Sequence, residues 1–205
     1  MDDLKQIEWY WYDIEKLSES ECYRWYSLMD RERQEYVRKH RLEADRKRIV
    51  AGEMLARKAI ALRCDVPEES IEFGKGEYGK PFAKNLNVEF SVSHSDNLVV
   101  CAVSDCPIGI DVEKIRPIDL NIAEEFCSEG ELEYIFGGDR KEVGYLACGE
   151  DEALTRFFEI WTAKEAYSKF TGRGLGDICN MPDMAASQRI KRLTLGAYAI
   201  AVYGG

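Results

Sequence analysis

Apolar and polar residues alternate along this chain in two rhythms, and each rhythm predicts a kind of element. The run from Ile7 to Trp11 alternates aromatic with polar positions and predicts a strand. Residues 18–29 and then 30–62 carry apolar positions at helical spacing. In the second stretch Ile49, Met54, Leu55, Ala59 and Leu62 recur, and no proline intervenes before Pro67. A loop from Gly74 to Pro81 follows. Three apolar runs come next, at 88–93, 98–104 and 108–112, separated by the turn formers Ser95-Asp96-Asn97 and Asp105-Cys106-Pro107. Short apolar runs divided by such turns predict an antiparallel meander.

The second half repeats the plan more loosely. Helices are predicted at 120–127 and 129–136, then a polar loop from Gly137 to Gly149, then a long helix capped by Asp151, running to about Phe170 and stopped by Gly172. Leu154, Phe157, Phe158, Trp161 and Tyr167 give that helix a wide apolar stripe, which makes Trp161 a core anchor. Gly172, Gly174 and Gly176 follow a helix rather than a strand, so they are turn glycines and not a dinucleotide fingerprint. Strands at 193–195 and 198–203 close the chain. Strand, helices and strands, then helices and strands again, give an α+β chain of two similar halves.

Within this frame two segments carry candidate chemistry. Gly109-Ile110-Asp111-Val112-Glu113 is β-branched around its acids, and the period of two in a strand places Asp111 and Glu113 on one face. In Trp161-Thr162-Ala163-Lys164-Glu165-Ala166-Tyr167-Ser168-Lys169, Glu165 and Lys169 are one helical turn apart and also share a face. Taken singly, the first reads as a solvated strand end and the second as a surface ion pair. Taken together, three carboxylates and a lysine suit a Mg²⁺ ion holding a substrate's phosphates.

Read in order, Tyr78-Gly79-Lys80-Pro81, Phe90-Ser91-Val92-Ser93-His94-Ser95, the strand Ile108 to Glu113 and the helix Trp161 to Lys169 resemble the 4′-phosphopantetheinyl transferases of the surfactin-synthetase-activating type. The resemblance covers roughly residues 25 to 176. It implies two α/β halves related by a pseudo-twofold axis, with antiparallel sheets and packed helices, divided as 1–106 and 107–205. It also implies transfer of phosphopantetheine from coenzyme A to a serine of an apo acyl or peptidyl carrier protein, with Mg²⁺ required and adenosine 3′,5′-bisphosphate released. Position by position, Asp111, Glu113 and Glu165 match the metal-holding acids, and Glu165 either acts as the base or positions it. Lys169, also counted with the catalytic groups, and His94 match phosphate contacts. Lys80 and Pro81 lie in the turn near the nucleotide end, Arg33 and Arg48 match basic positions upstream, and Ser93 and Lys164 join the coenzyme A contacts. The carrier is expected to dock near the segment from Lys114 to Phe136, with apolar contacts drawn from Ile115, Ile118, Leu120, Phe126 and Leu132, some of which must belong to the core. At Tyr36 the chain departs from relatives that tend to carry a second lysine.

Composition narrows the picture. At 205 residues and 45% hydrophobic content the chain can bury one substantial core, or two small ones sharing an interface. No apolar run approaches the ~20 residues of a membrane span. With Asp2 and Asp3 at its start the chain lacks a signal-peptide pattern, so a cytoplasmic protein is expected. Seven cysteines without paired spacing, and two histidines, argue against a zinc site or a disulfide framework, and Cys101 is expected to be buried. The formal charge of −10 argues against nucleic-acid binding. A basic cluster, Arg38, Lys39, Arg41, Arg46, Lys47 and Arg48 against Glu43 and Asp45, reads mainly as a solvated helix face, with cations left to steer an acidic partner. His40 within it is solvated. The same acids would serve a metal-dependent nucleotide pyrophosphate hydrolase. A non-catalytic coenzyme A or carrier-binding module is the other alternative, and the intact set of acids argues against it. Length and two-half organisation lean towards a monomer.

Overall fold

The computed structural model describes residues 7–76, 78–138, 149–176 and 178–205. Strand β1 (Glu8–Asp13) leads into three helices, α1 (Glu19–Leu28), α2 (Arg31–Lys39) and α3 (Glu43–Cys64). A short hairpin, β2 (Phe73–Lys75) and β3 (Pro81–Ala83), precedes a long one, β4 (Glu89–Ser95) and β5 (Leu98–Ser104). The chain then begins again with β6 (Ile108–Lys114), a 3₁₀ segment (Leu120–Glu125), α4 (Glu129–Phe136), α5 (Glu150–Thr171) and a closing hairpin, β7 (Ile190–Leu195) and β8 (Tyr198–Gly204).

Both halves use one topology. The first strand of each pairs antiparallel with the last, and the remaining hairpin strand lies outside, giving the orders β1-β5-β4 and β6-β8-β7. A 22-residue helix packs on each sheet, α3 on the first and α5 on the second. The opposite sheet faces meet through Leu98, Val100 and Ala102 of β5 against Ile108, Ile110 and Val112 of β6 and Ile200 and Val202 of β8. The layers therefore run helix, sheet, sheet, helix, an α+β fold. All seven residues of β5 are buried because α3 covers one face and the second sheet the other, which explains its unbroken apolar run. Cys101 of β5 is fully buried.

The meander is corrected here: β6 does not continue the first sheet but pairs with β8. Its alternation explains the move, since Ile108, Ile110 and Val112 need the intersheet core while Gly109 faces a helix. The stretch 30–62 is also not one helix. α2 ends at His40, whose backbone is extended (φ −79°, ψ 126°), so His40 is a helix end rather than part of a helical face. The Arg46 guanidinium donates to the carbonyls of His40 at 3.0 Å and Arg41 at 3.2 Å, satisfying groups that helix would otherwise use. The stretch read as a loop from Gly74 to Pro81 contributes strand ends to β2 and β3. α5 starts at Glu150 behind Gly149, so Asp151 lies in its first turn and is not its cap. It stops at Gly172, in the left-handed conformation at φ 70°. Most of the polar loop predicted before α5, residues 139–148, lies outside the described residues.

Candidate active site

The site exists because α5 comes very close to β6, and Gly109 allows that approach. A Cβ on Gly109 would stand 1.9 Å from the Ala166 carbonyl oxygen and 2.6 Å from the Phe170 backbone nitrogen. Any side chain there would drive the helix away. With period-two alternation, Asp111 and Glu113 point to the same side as Gly109, and the helix places Glu165 and Lys169 over them.

Asp111 is buried, its side chain 6% exposed. Its Oδ1 accepts from the Lys169 ammonium at 2.7 Å and from the Ser93 hydroxyl at 2.7 Å. Its Oδ2 is buried without a hydrogen-bond partner. Glu113, half-buried, accepts from the Ser95 hydroxyl through Oε2 at 2.9 Å, and Arg116 stands 3.6 Å from the same oxygen. Glu165 carries the clearest electrostatic signature. Burial, with the neighbouring Asp111 and then Glu113, pushes its carboxyl up to about 7 against the opposing pull of Lys169. A carboxylate crowded by two others is relieved by a proton or by a cation.

The donor set therefore suits a hard divalent cation: three carboxylates, one with an orphaned buried oxygen. Among the described residues no group of three or more His, Cys, Asp or Glu side chains already stands in a metal-holding arrangement. Lys169 partly neutralises Asp111 in its place.

Beside this centre the first half forms a cavity of about 550 Å³. Arg33, Arg48, Pro81 and His94 line it, and so do Lys75 and Lys84, which the sequence reading did not single out. Three acids, Asp30, Glu32 and Glu53, temper these cations. Arg33 lies 3.4 Å from Glu53 and over the Tyr36 ring at 5.1 Å, so the residue standing where relatives tend to have lysine stacks beneath a guanidinium. Arg48 donates to the Asp96 carbonyl at 2.8 Å and pairs with Asp45. His94 is exposed, yet the protein around it, with Arg48 and Lys169, holds its imidazole below the ordinary value. Lys80 is absent from the cavity wall; its ammonium donates to the Ile108 carbonyl at 3.0 Å, at the start of β6, and burial lowers its pKa. Ser93 joins the two regions, bonded to Asp111 and Lys169 while its neighbour His94 faces the cavity.

Lys164 belongs to neither region, and its expected role is corrected. Its side chain is 2% exposed and its ammonium pairs at 2.9 Å with Glu131, itself fully buried. Glu131 also accepts from the backbone N–H of Ser128 and of Met184, each at 2.8 Å. The pair fastens α5 to the start of α4, on the far side of the helix from Asp111. Trp161 packs edge-on against Phe126 at 5.1 Å in the second half's core, as its place in the apolar stripe predicted. Phe126 is thereby a core residue rather than a docking contact, and Ile115, Ile118, Leu120 and Leu132 are partly buried against the same core. Ile122, 46% exposed, is the large apolar side chain this segment offers outward.

Both halves of the chain are similar to known proteins. Residues 16–106 match the family described as 4′-phosphopantetheinyl transferase, N-terminal, and residues 107–202 match the 4′-phosphopantetheinyl transferase superfamily. The chain is 39% identical over 149 residues to 4′-phosphopantetheinyl transferase gsp of Aneurinibacillus migulanus, which covers 73% of this chain and 58% of that protein. It is 35% identical over 160 residues to 4′-phosphopantetheinyl transferase Sfp of Bacillus subtilis strain 168, covering 78% of this chain and 67% of the relative. A further 4′-phosphopantetheinyl transferase of Bacillus subtilis is 34% identical over 176 residues, 85% of this chain and 72% of the relative. The chain belongs to the 4′-phosphopantetheinyl transferase superfamily, on the branch that holds the Sfp and gsp proteins. The match spans a little over half of gsp and about two thirds of Sfp. No helix among the described residues is long and apolar enough to cross a membrane.

Proposed function

We propose that this chain transfers the 4′-phosphopantetheine group of coenzyme A to a serine of an apo acyl or peptidyl carrier protein, releasing adenosine 3′,5′-bisphosphate. The observation that carries the reading is the convergence of Asp111, Glu113, Glu165 and Lys169 beside a cation-lined cavity, in a member of this superfamily. In this reading the first half, 1–106, supplies the nucleotide-binding wall and the second, 107–205, the acids.

The carrier's serine hydroxyl attacks the β-phosphorus of coenzyme A in line, and the oxygen bridging to the nucleotide leaves with the electron pair. Mg²⁺, held by Asp111, Glu113 and Glu165, would supply neutralisation of the charge that spreads over the phosphoryl oxygens. Lys169 contributes a fixed cation at the same place, already oriented by Asp111 and Ser93. His94, Arg33 and Arg48 bind and orient phosphates along the cavity, with Pro81 shaping its rim. Lys80, tied to β6, adds positive charge where the halves meet. Glu165, the acid that α5 brings to this place, is the group suited to take the serine proton or to position the residue that does. The carrier docks beside the acid strand over the segment from Lys114 to Phe136, where Ile122 is exposed.

The test is intact-protein mass spectrometry of apo carrier proteins incubated with the chain, coenzyme A and Mg²⁺, with EDTA and Glu165→Ala as controls. The expected result is a gain of one phosphopantetheine on the carrier, absent in both controls. Coenzyme A bound but unreacted with every carrier overturns the reading in favour of a binding module. Coenzyme A cleaved without carrier modification overturns it in favour of a hydrolase.

A further inference from the structure

Three serines at alternate positions of β4, Ser91, Ser93 and Ser95, share the face turned to the second sheet, beside Ala102, Val100 and Leu98 of β5, and reach β6 from there. β4 and β6 are edge strands of different sheets and make no backbone ladder with each other. The serine hydroxyls take its place. Ser91 Oγ accepts the Ile110 N–H at 3.1 Å and Ser95 Oγ accepts the Lys114 N–H at 3.0 Å, so two peptides of the free edge of β6 are met by side chains.

A hydroxyl has a single proton to give. Because the Lys114 peptide already donates to Ser95, the Ser95 O–H is left to donate, and Glu113 Oε2 lies at 2.9 Å. Ser93 follows the same logic one pleat away. It accepts from the Lys169 ammonium at 2.7 Å and donates to Asp111 Oδ1 at 2.7 Å. Each strand acid thus has one oxygen engaged by a β4 hydroxyl, and in Asp111 the other oxygen is buried with no partner.

We propose that Ser95 is a positioning residue for the transfer reaction: it holds Glu113 through Oε2 and so leaves the other carboxylate oxygen for a cation. The inference rests on the reading of Asp111, Glu113 and Glu165 as cation ligands. The first half of the fold then reaches into the acid cluster of the second through two hydroxyls, while Arg116 of the second half stands 3.6 Å from the same Glu113 oxygen. Ser91 bonds a peptide of the same edge and, among the described residues, donates to no carboxylate, so it separates this role from simple edge closure.

The test uses Mn²⁺ as the probe, titrated into the whole chain without coenzyme A and followed by electron paramagnetic resonance, with thermal melting to verify folding. Ser95→Ala is expected to weaken Mn²⁺ binding by about 10-fold, in the range found when a partner bonded to a metal ligand is removed. Ser95→Thr, which keeps the hydroxyl, should restore affinity, and Ser91→Ala should leave it at the wild-type value. In the transfer assay Ser95→Ala should raise the half-saturating Mg²⁺ concentration by a similar factor, with the KM for coenzyme A at saturating Mg²⁺ unchanged. If Ser95→Ala melts early, Ser95→Cys, close in volume and a weak donor, takes its place. Wild-type Mn²⁺ affinity in Ser95→Ala, or an equal loss in Ser91→Ala, overturns the inference while the transferase reading stands. A wild-type chain that neither binds Mn²⁺ nor transfers in a metal-dependent way overturns both.

Discussion

The Lys164–Glu131 pair offers a sharp test of which lysines of α5 serve the site. Replacing Lys164 with Met removes the ammonium 2.9 Å from a fully buried carboxylate while keeping the side-chain stem. Breaking a buried pair from one side generally costs about 3–5 kcal/mol, because the remaining charge stays out of water without its partner. Here Glu131 keeps two backbone N–H donors, from Ser128 and Met184, and sits in the first turn of α4 near the positive end of the helix dipole. The cost should therefore fall at the lower end, about 3 kcal/mol. In a chain of this size that lowers Tm by roughly 6–12 °C. Lys164→Met/Glu131→Gln, which buries no charge, should recover at least about 1 kcal/mol of the loss. Urea unfolding followed by tryptophan fluorescence measures both variants, and calorimetry with coenzyme A should give Lys164→Met the wild-type affinity. A loss of stability under about 1 kcal/mol, coupled to weakened coenzyme A binding, would refute the assignment of Lys164 to the core and return it to the site.

Two other perturbations follow from the same geometry. Glu165→Gln should abolish transfer yet stabilise the metal-free chain. A carboxyl raised from its ordinary 4.5 to about 7 is favoured by the fold only when protonated. The wild-type chain therefore loses stability as pH rises from about 4.5 to about 7, and the glutamine variant does not. After allowance for solvent screening the gain at pH 8 is about 1–2 kcal/mol, and it should vanish near pH 4, as read by urea midpoints at each pH; equal stabilities at pH 8 would contradict the crowding described for this carboxyl. Gly109→Ala places a methyl group against helix backbone at 1.9 Å, so overpacking of about 3 kcal/mol or more is expected, with loss of metal-dependent transfer. A variant that melts like wild type would show that α5 does not lie as close to β6 as described.

Much of the chemistry was legible in the chain. Asp111 and Glu113 share a face because strand side chains alternate, and Glu165 and Lys169 share one because helices repeat every 3.6 residues. These are local rules, and the structure keeps them. The order of elements suggested two similar halves, and the pseudo-twofold relation between them came from the family resemblance rather than from periodicity. The break at His40 and the short β2–β3 hairpin were less so, because side chain to carbonyl bonds and brief three-residue pairings leave little periodic trace.

What local rules left undecided was which elements would meet. The sequence determined that β6 carries two acids on one face and that α5 carries a glutamate and a lysine one turn apart. Only the tertiary structure decided that β6 leaves the first sheet, that Gly109 lets α5 settle against it, and that Ser93 and Ser95 reach across from β4 to hold the acids. It also separated Lys164 from Lys169. Both are lysines of one helix, five residues apart, and pairing with Glu131 or with Asp111 depends on which neighbour packs against each side of that helix. Such contacts join residues far apart in the chain, so no local period records them.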